Sequence, residues 1–365
     1  MGSAALYHLA RRGIRALGIE RYNIPHEMGS SHGLTRIIRL AYYEHPAYVP
    51  LLRRAYELWR QLEHLVHERL LLITGAIDAS REEGEVFRGS KMSCDIHHLP
   101  HEVLNSRELT ARFPGYRLPH DVLALYQPDG GFLLSERCIV AHVTAAQEYG
   151  AEVHGQERVV EWHARGDGVE VRTDRERYQA EKLVVCSGAW AAKLLPELGA
   201  LAVPERQVLG WFQPSRPALF LPDTFPVFNM AVDEGHYYGF PVYGIPGFKV
   251  GRYHHLEQRV DPDQMDREVH REDEEVLRQF TARYFPEALG PTMALKTCLF
   301  TNTPDEHFIL DRHPEFPQVC IAAGFSGHGF KFCSVVGEIM ADLAQTGRSR
   351  HDLELFRLTR FEQTA

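Results

Sequence analysis

Apolar positions recur at helical spacing across residues 46–70, where Leu51, Leu52, Ala55, Leu58, Trp59, Leu62 and Val66 fall on one face. That predicts a long amphipathic helix with one side in a core. Shorter helical patterns run from Gly2 to a stop at Gly13 and over 106–113, where Asn105 and Glu108 have capping-box spacing. Ser135 is expected to cap a helix ending at Tyr149 and Gly150. Further helices are expected over 268–284 and through Val335, Val336, Ile339, Met340 and Leu343. Strand patterns occupy 16–20, 70–77, 122–126, 182–186, 295–300 and 319–323. Val153, Val159, Val169, Val171 and Tyr178 suggest a short meander, and 205–295 turns to short alternating strands with a charged helix. The class is α/β (α+β), a mixed-sheet block set among strand–helix units.

Within this pattern, Val319-Cys320-Ile321-Ala322-Ala323 runs into Gly324-Phe325-Ser326-Gly327-His328-Gly329-Phe330-Lys331 and then a helix. Glycines let a backbone bend sharply and approach a ligand, and a helix amino end suits an oxyanion or an electron-rich ring edge. The plain alternative is a tight turn with a solvated Lys331. Near the start, a helix opening at Gly2 leads into Ala16-Leu17-Gly18-Ile19-Glu20, a strand ending in an acid. That is the second part of a dinucleotide-binding βαβ unit, whose acid holds the ribose hydroxyls. Gly2 then corresponds to the last glycine of GxGxxG. About 10–20 upstream residues are expected to supply the first strand and the other two glycines.

Cations stand at telling places. Arg36 and Arg39 follow the small-residue loop Gly29-Ser30-Ser31-His32-Gly33, and on a helix or tight turn their spacing would put both guanidinia on one side. Such a pair suits carboxylate or phosphate capture; it could equally make surface ion pairs. Lys249 interrupts the apolar strand Gly247-Phe248-Lys249-Val250-Gly251. It is either a solvated edge-strand lysine or a buried one facing a cavity, with its charge tuned by desolvation.

Composition removes several classes. At 365 residues, 44% hydrophobic and 24% charged, the chain is globular and long enough for two domains. A net charge of −9 with no basic run argues against nucleic acid as partner, and no apolar stretch reaches the roughly 18 residues of a membrane span. The six cysteines lack CxxC pairing and read as reduced thiols, with Cys298 set apart from the buried ones. The 21 histidines form no HExxH pattern, and the His97-His98 and His254-His255 pairs lack carboxylate or cysteine companions at ligand spacing, so no metal is expected.

Taken together, these separated motifs resemble the monomeric sarcosine oxidase family of flavin amine oxidases, which includes N-methyltryptophan and pipecolate oxidases. They are Gly29 to Gly33 with Thr35 to Arg39, Tyr237-Tyr238-Gly239-Phe240-Pro241, Lys249 followed by His254, Cys298 with Thr303-Pro304-Asp305-Glu306, and Gly324 to Lys331. The resemblance implies a Rossmann-like FAD-binding domain of the glutathione-reductase type (1–45, 135–204 and 296–365), interleaved with a mixed-sheet substrate domain (46–134 and 205–295). It implies FAD joined through a thioether to Cys298, with Gly2, Glu20, His32, Arg36, Val159, Gly188, Gly324, Gly327, His328, Gly329 and Lys331 around it. Arg39 and Lys331 would fix a substrate carboxylate; Lys249 would stand where oxygen is reduced; Tyr238, His254 and Arg36 would complete the catalytic group.

The implied reaction oxidises a secondary amino acid such as sarcosine, pipecolate or N-methyltryptophan, reduces O₂ to H₂O₂ and leaves an imine to hydrolyse. A monomer in the cytoplasm is implied, or in the peroxisome of a eukaryote, although no C-terminal SKL-type signal is present. Competing expectations are a dehydrogenase on the same fold and a catalytically inactive scaffold. Phe300 departs from the family's usual tyrosine. One extra residue separates Lys249 from His254, which leaves His255 as a possible substitute for His254.

Overall fold

The helix Tyr48–Val66 turns Leu51, Leu52, Ala55, Leu58, Trp59 and Leu62 inward, as its periodicity predicts. This computed structural model describes residues 1–364. That helix shares one core with Gly2–Arg11, Ser135–Glu148 and Cys333–Thr346. The first and last of these cross so closely that a Cβ on Gly337 would lie 2.5 Å from the backbone of Ala4. Two parallel pairings belong to this layer: Leu17–Ile19 beside Glu152–His154, and Leu183–Val185 beside Val319–Ala323, which also pairs antiparallel with Ile309–Arg312. The meander appears as the antiparallel strands Val159–Arg165, Gly168–Thr173 and Arg177–Ala180.

An eight-stranded mixed sheet forms the second layer. In spatial order its strands are Thr292–Asn302, Val203–Phe212, Phe248–Arg252, Gly235–Phe240, Val227–Val232, Ala76–Arg81, Val122–Gln127 and Glu102–Leu104. One face packs Phe212, Phe228, Phe248 and Tyr237 against Leu277 and Phe280 of the helix Arg271–Tyr284. A small sheet of Thr35–Ile38, Gly131–Leu134 and Leu71–Ile73 completes the fold.

Three expectations need correction, and one helix was missed. The strand expected over 70–77 is two strands in two sheets, separated at Gly75, whose φ of +77° turns the chain. Ser135 is the first helical residue rather than the cap, and its hydroxyl donates to Glu136. The helix Glu85–His97 was not anticipated, because its buried face mixes Val86 and Phe87 with Gly89, Ser90 and Ser93. Domain boundaries at 46 and 296 cut across the packing: Tyr48–Val66 sits with the helices of the first layer, while Thr292–Asn302 pairs with Val203–Phe212 along most of its length. Asn105 and Glu108 do form their capping box.

Candidate active site

Thr35–Ile38 is a strand, so alternate side chains leave on opposite faces and the two arginines do not share a side. Arg36 donates to the carbonyls of Thr35 (2.8 Å) and Ser30 (2.7 Å), and its guanidinium lies 3.7 Å from the Cys298 sulfur. Arg39 is fully buried. It donates to the Ala41 carbonyl at 2.6 Å, pairs with Glu44 at 2.9 Å, and has its Nε 3.5 Å from Asp78. Burial opposes the Glu44 charge, but Arg39, with His328 and Lys331, outweighs it and holds the carboxyl at about 2. Asp78 is braced by Ser90 (2.7 Å) and Asn229 (2.9 Å).

Lys249 lies in an interior strand, between Val203–Phe212 and Gly235–Phe240, which rules out the edge-strand reading. Its ammonium position faces the carbonyls of Gly33 (2.7 Å) and Thr35 (2.8 Å) and the Thr35 hydroxyl (3.0 Å). The Phe240 and Trp211 rings stand 4.2 and 5.4 Å away. Burial, reinforced by Arg36, pushes its pKa well below the usual lysine range. Glu136 fixes the loop that supplies these acceptors, taking hydrogen bonds from the backbone N–H of Gly33 (2.7 Å) and Leu34 (3.1 Å).

The glycine-rich turn is shaped by close approach. A Cβ on Gly324 (φ +61°) would come 2.3 Å from Thr303, and one on Gly327 (φ +79°) 2.4 Å from the Phe300 ring. Gly329 packs against Phe325 in the same way. Both ring nitrogens of His328 are engaged, one with the Tyr42 hydroxyl (2.6 Å) and the other with the Glu306 carbonyl (2.9 Å). His328 is therefore a strut of the turn, and its ring has no free nitrogen for a cofactor. Lys331 donates to the His328 carbonyl at 2.7 Å and, among the described residues, has no carboxylate partner. Burial, with Arg39 adding to it, lowers its pKa to about 7. It is a buried amine, not the solvated alternative.

His254 departs from its expected place. It follows the Lys249 strand in a left-handed turn (φ +51°) and points into the carboxylates of Glu205 (3.1 Å) and Glu306 (3.1 Å). Those two hydrogen-bonded partners raise its pKa to about 10. His255 is no substitute, being buried against Asp273 at 3.0 Å. The side chain that shares a face with Lys249 is Tyr253, two strand positions beyond Gly251. Its ring stands 5.1 Å from Tyr238, which lies near Cys298 and Arg36.

Toward the nucleotide end, Glu20 closes the strand Leu17–Ile19, and Gly188 (φ +56°) has open space where a Cβ would be. Gly2 opens the first helix, where a Cβ would meet only Cys186, at 3.5 Å; Val159 begins the meander half-buried. His32 is buried with neither ring nitrogen hydrogen-bonded, and burial, then Arg36, lowers its pKa to about 3. An orphaned imidazole beside Arg36, and an open glycine turn at the carboxyl end of a parallel strand, fit a flavin nucleotide. Open clefts of about 400 and 410 Å³ lie elsewhere, beside Ile24 and Gln147 and beside Tyr56 and Arg60, away from these groups.

The profile of FAD dependent oxidoreductases matches residues 1–343. The chain belongs to that family. A monomeric sarcosine oxidase of Bacillus sp. (strain NS-129) is 42% identical over 99% of this chain and 94% of its own length. An N-methyl-L-tryptophan oxidase of Escherichia coli (strain SMS-3-5 / SECEC) is 35% identical over 99% and 97%. Among solved structures, NikD, an unusual amino acid oxidase essential for nikkomycin biosynthesis, superposes with a TM-score of 0.84 at 26% identity, covering 97% of this chain and 94% of that one. The resemblance read from the motifs holds, and this member of the family is an FAD-dependent oxidoreductase. No described helix is long and apolar enough to cross a membrane.

Several side chains packed on the candidate residues were not marked by sequence: Glu44 and Asp78 on Arg39, Glu136 under the Lys249 loop, and Tyr253 beside Tyr238. Only Tyr253 carried a usable signal, the two-residue alternation that starts at Lys249.

Proposed function

We propose that this oxidoreductase oxidises a secondary amino acid, with sarcosine as the type substrate, and passes the electrons to O₂ as hydrogen peroxide. The observation that carries the proposal is the meeting of two buried cations, Arg39 and Lys331, at the ring of Tyr42. FAD, when bound, accepts a hydride equivalent from the carbon attached to nitrogen and returns two electrons to oxygen. The residues that would hold it are Glu20, Gly188, His32, Arg36, Cys298 and the turn from Gly324 to Gly329. Cys298 is the thiol that the family resemblance assigns to the covalent link, and the Arg36 guanidinium stands 3.7 Å from its sulfur.

A substrate carboxylate would be gripped by Arg39 and Lys331 together, which selects amino acids over simple amines. Because Glu44 already holds Arg39, the incoming carboxylate must take over that partner. An approaching anion also raises the proton affinity of Lys331, so the clamp gains charge as it closes. Lys249 answers to oxygen in the same manner: negative charge developing beside it favours its protonation, with its three acceptors in place. A buried amine that gains its proton as negative charge develops beside it favours an oxidase over the dehydrogenase reading. The free amine reacts, and the product imine hydrolyses, giving glycine and formaldehyde from sarcosine. Six free thiols fit a reducing cytoplasm, and the Bacillus relative's name supports a monomer. Oxygen uptake and peroxide release across sarcosine, pipecolate, proline and N-methyltryptophan test the proposal; a colourless protein with no peroxide from any of them would restore the inactive-scaffold reading.

A further inference from the structure

Tyr253 is half-buried although it follows an interior strand, and it stands beside Tyr238 on the face that carries Lys249. The ring is fixed. One face stacks on His236, with centroids 4.4 Å apart and planes inclined by 22°. Tyr238 meets it edge-on at 5.1 Å and 72°. His236 in turn meets the Tyr43 ring, with centroids 5.4 Å apart, and that ring carries the Arg39 guanidinium 4.6 Å from its centroid. Phe300 lies 5.8 Å off on the remaining side and is itself wedged against Gly327.

We infer that Tyr253, locked by His236 and Tyr238, is a specificity-determining residue that bounds the amine side of the pocket and selects compact secondary amino acids over cyclic or bulky N-substituted ones. The inference rests on the reaction proposed above. A substrate whose carboxylate is held at Arg39 must place its amine and N-substituent along the aromatic wall that begins at Tyr43. A flexible wall would yield to a larger group. This one cannot swing without unstacking His236 and giving up its edge contact with Tyr238, so the limit is a fixed one.

The test uses the flavin-loaded protein and the variants Tyr253→Ala, Tyr253→Leu and Tyr253→Phe. Two ratios are read: kcat/KM for N-methylglycine against L-pipecolate, and the dissociation constants of two inert carboxylates, acetate and pyrrole-2-carboxylate, followed by flavin absorbance. Tyr253→Ala or, if that variant does not fold, Tyr253→Leu should move both ratios about tenfold or more toward the cyclic ligand. Tyr253→Phe keeps the ring and should stay near wild type in preference. Unchanged ratios in the truncated variants would overturn the inference. Should the wild type release no peroxide from either amine, the proposed reaction fails, while the binding ratio still decides the role of Tyr253.

Discussion

Arg39 and Lys331 lie on the same ring, the guanidinium carbon 4.5 Å and the ammonium nitrogen 5.2 Å from the centroid of Tyr42. They come from opposite ends of the chain, one after the strand Thr35–Ile38 and the other from the glycine-rich turn. Tyr42 joins them further, because its hydroxyl holds His328, whose carbonyl accepts from Lys331. Arg39 is already neutralised by Glu44 and Lys331 is not, so the lysine is the cation with capacity to spare for an incoming carboxylate.

Replacing Lys331 with methionine should therefore weaken substrate capture without touching flavin attachment. A hydrogen bond to a charged group is worth about 1.5–3 kcal/mol, which predicts a KM increase of roughly 10- to 150-fold. Steady-state kinetics with flavin content measured alongside checks this. An unchanged KM would remove Lys331 from the carboxylate site.

The same residue sets a pH dependence. Lys331 is lowered to about 7, so its positive charge is present below that value and is lost above it. Affinity for an inert carboxylate should fall as pH rises through about 7, and Lys331→Met should flatten the curve. The rate at saturating substrate should move the other way, rising with pH as the substrate amine loses its proton. Flavin absorbance titrations from pH 6 to 9 separate the two.

Cys298→Ser should leave a protein that binds flavin but releases it on denaturation. In-gel flavin fluorescence reads this directly, and flavin that stays attached would place the link on another residue.

His254 gives a stability prediction. Its pKa is raised to about 10 by Glu205 and Glu306, above an unfolded value near 6.5. The contribution is fully present below about pH 6.5 and fades as pH climbs toward 10. The side chain is 35% exposed, so solvent screening limits the pair to about 1 kcal/mol. His254→Gln should lower Tm by a degree or two at pH 6, with the deficit vanishing near pH 10. A deficit constant with pH would mean that the histidine acts by packing alone.

Much of this was legible in the chain. The stripe of Leu51, Leu52, Ala55, Leu58 and Trp59 could only bury one helix face, while a lysine flanked by Phe248 and Val250 left an edge strand or a buried site open until the sheet order placed it inside. Arg36 and Arg39 were misplaced because helical spacing was assumed, although Ile37 and Ile38 between them are β-branched and favour a strand. Glu44 and Asp78 could not be found as partners of Arg39, since Asp78 reaches it from a different sheet and only the fold sets that distance. The conspicuous pair His254-His255 drew attention from Tyr253, whose alternation with Lys249 and Gly251 put it on the site's face all along. The strand over 70–77 looked continuous because its apolar run hides the one residue, Gly75, at which the chain changes sheets.

In the proposed reaction a carboxylate-anchored secondary amine is oxidised at the expense of O₂. Peroxide release from the flavin-loaded protein, measured with N-methylglycine and in parallel with dimethylamine, tests it most directly. The account predicts turnover with N-methylglycine and essentially none with dimethylamine, which keeps the N-methyl group and lacks the carboxylate. Equal rates with both, or peroxide from neither N-methylglycine nor any other secondary amino acid, would contradict it.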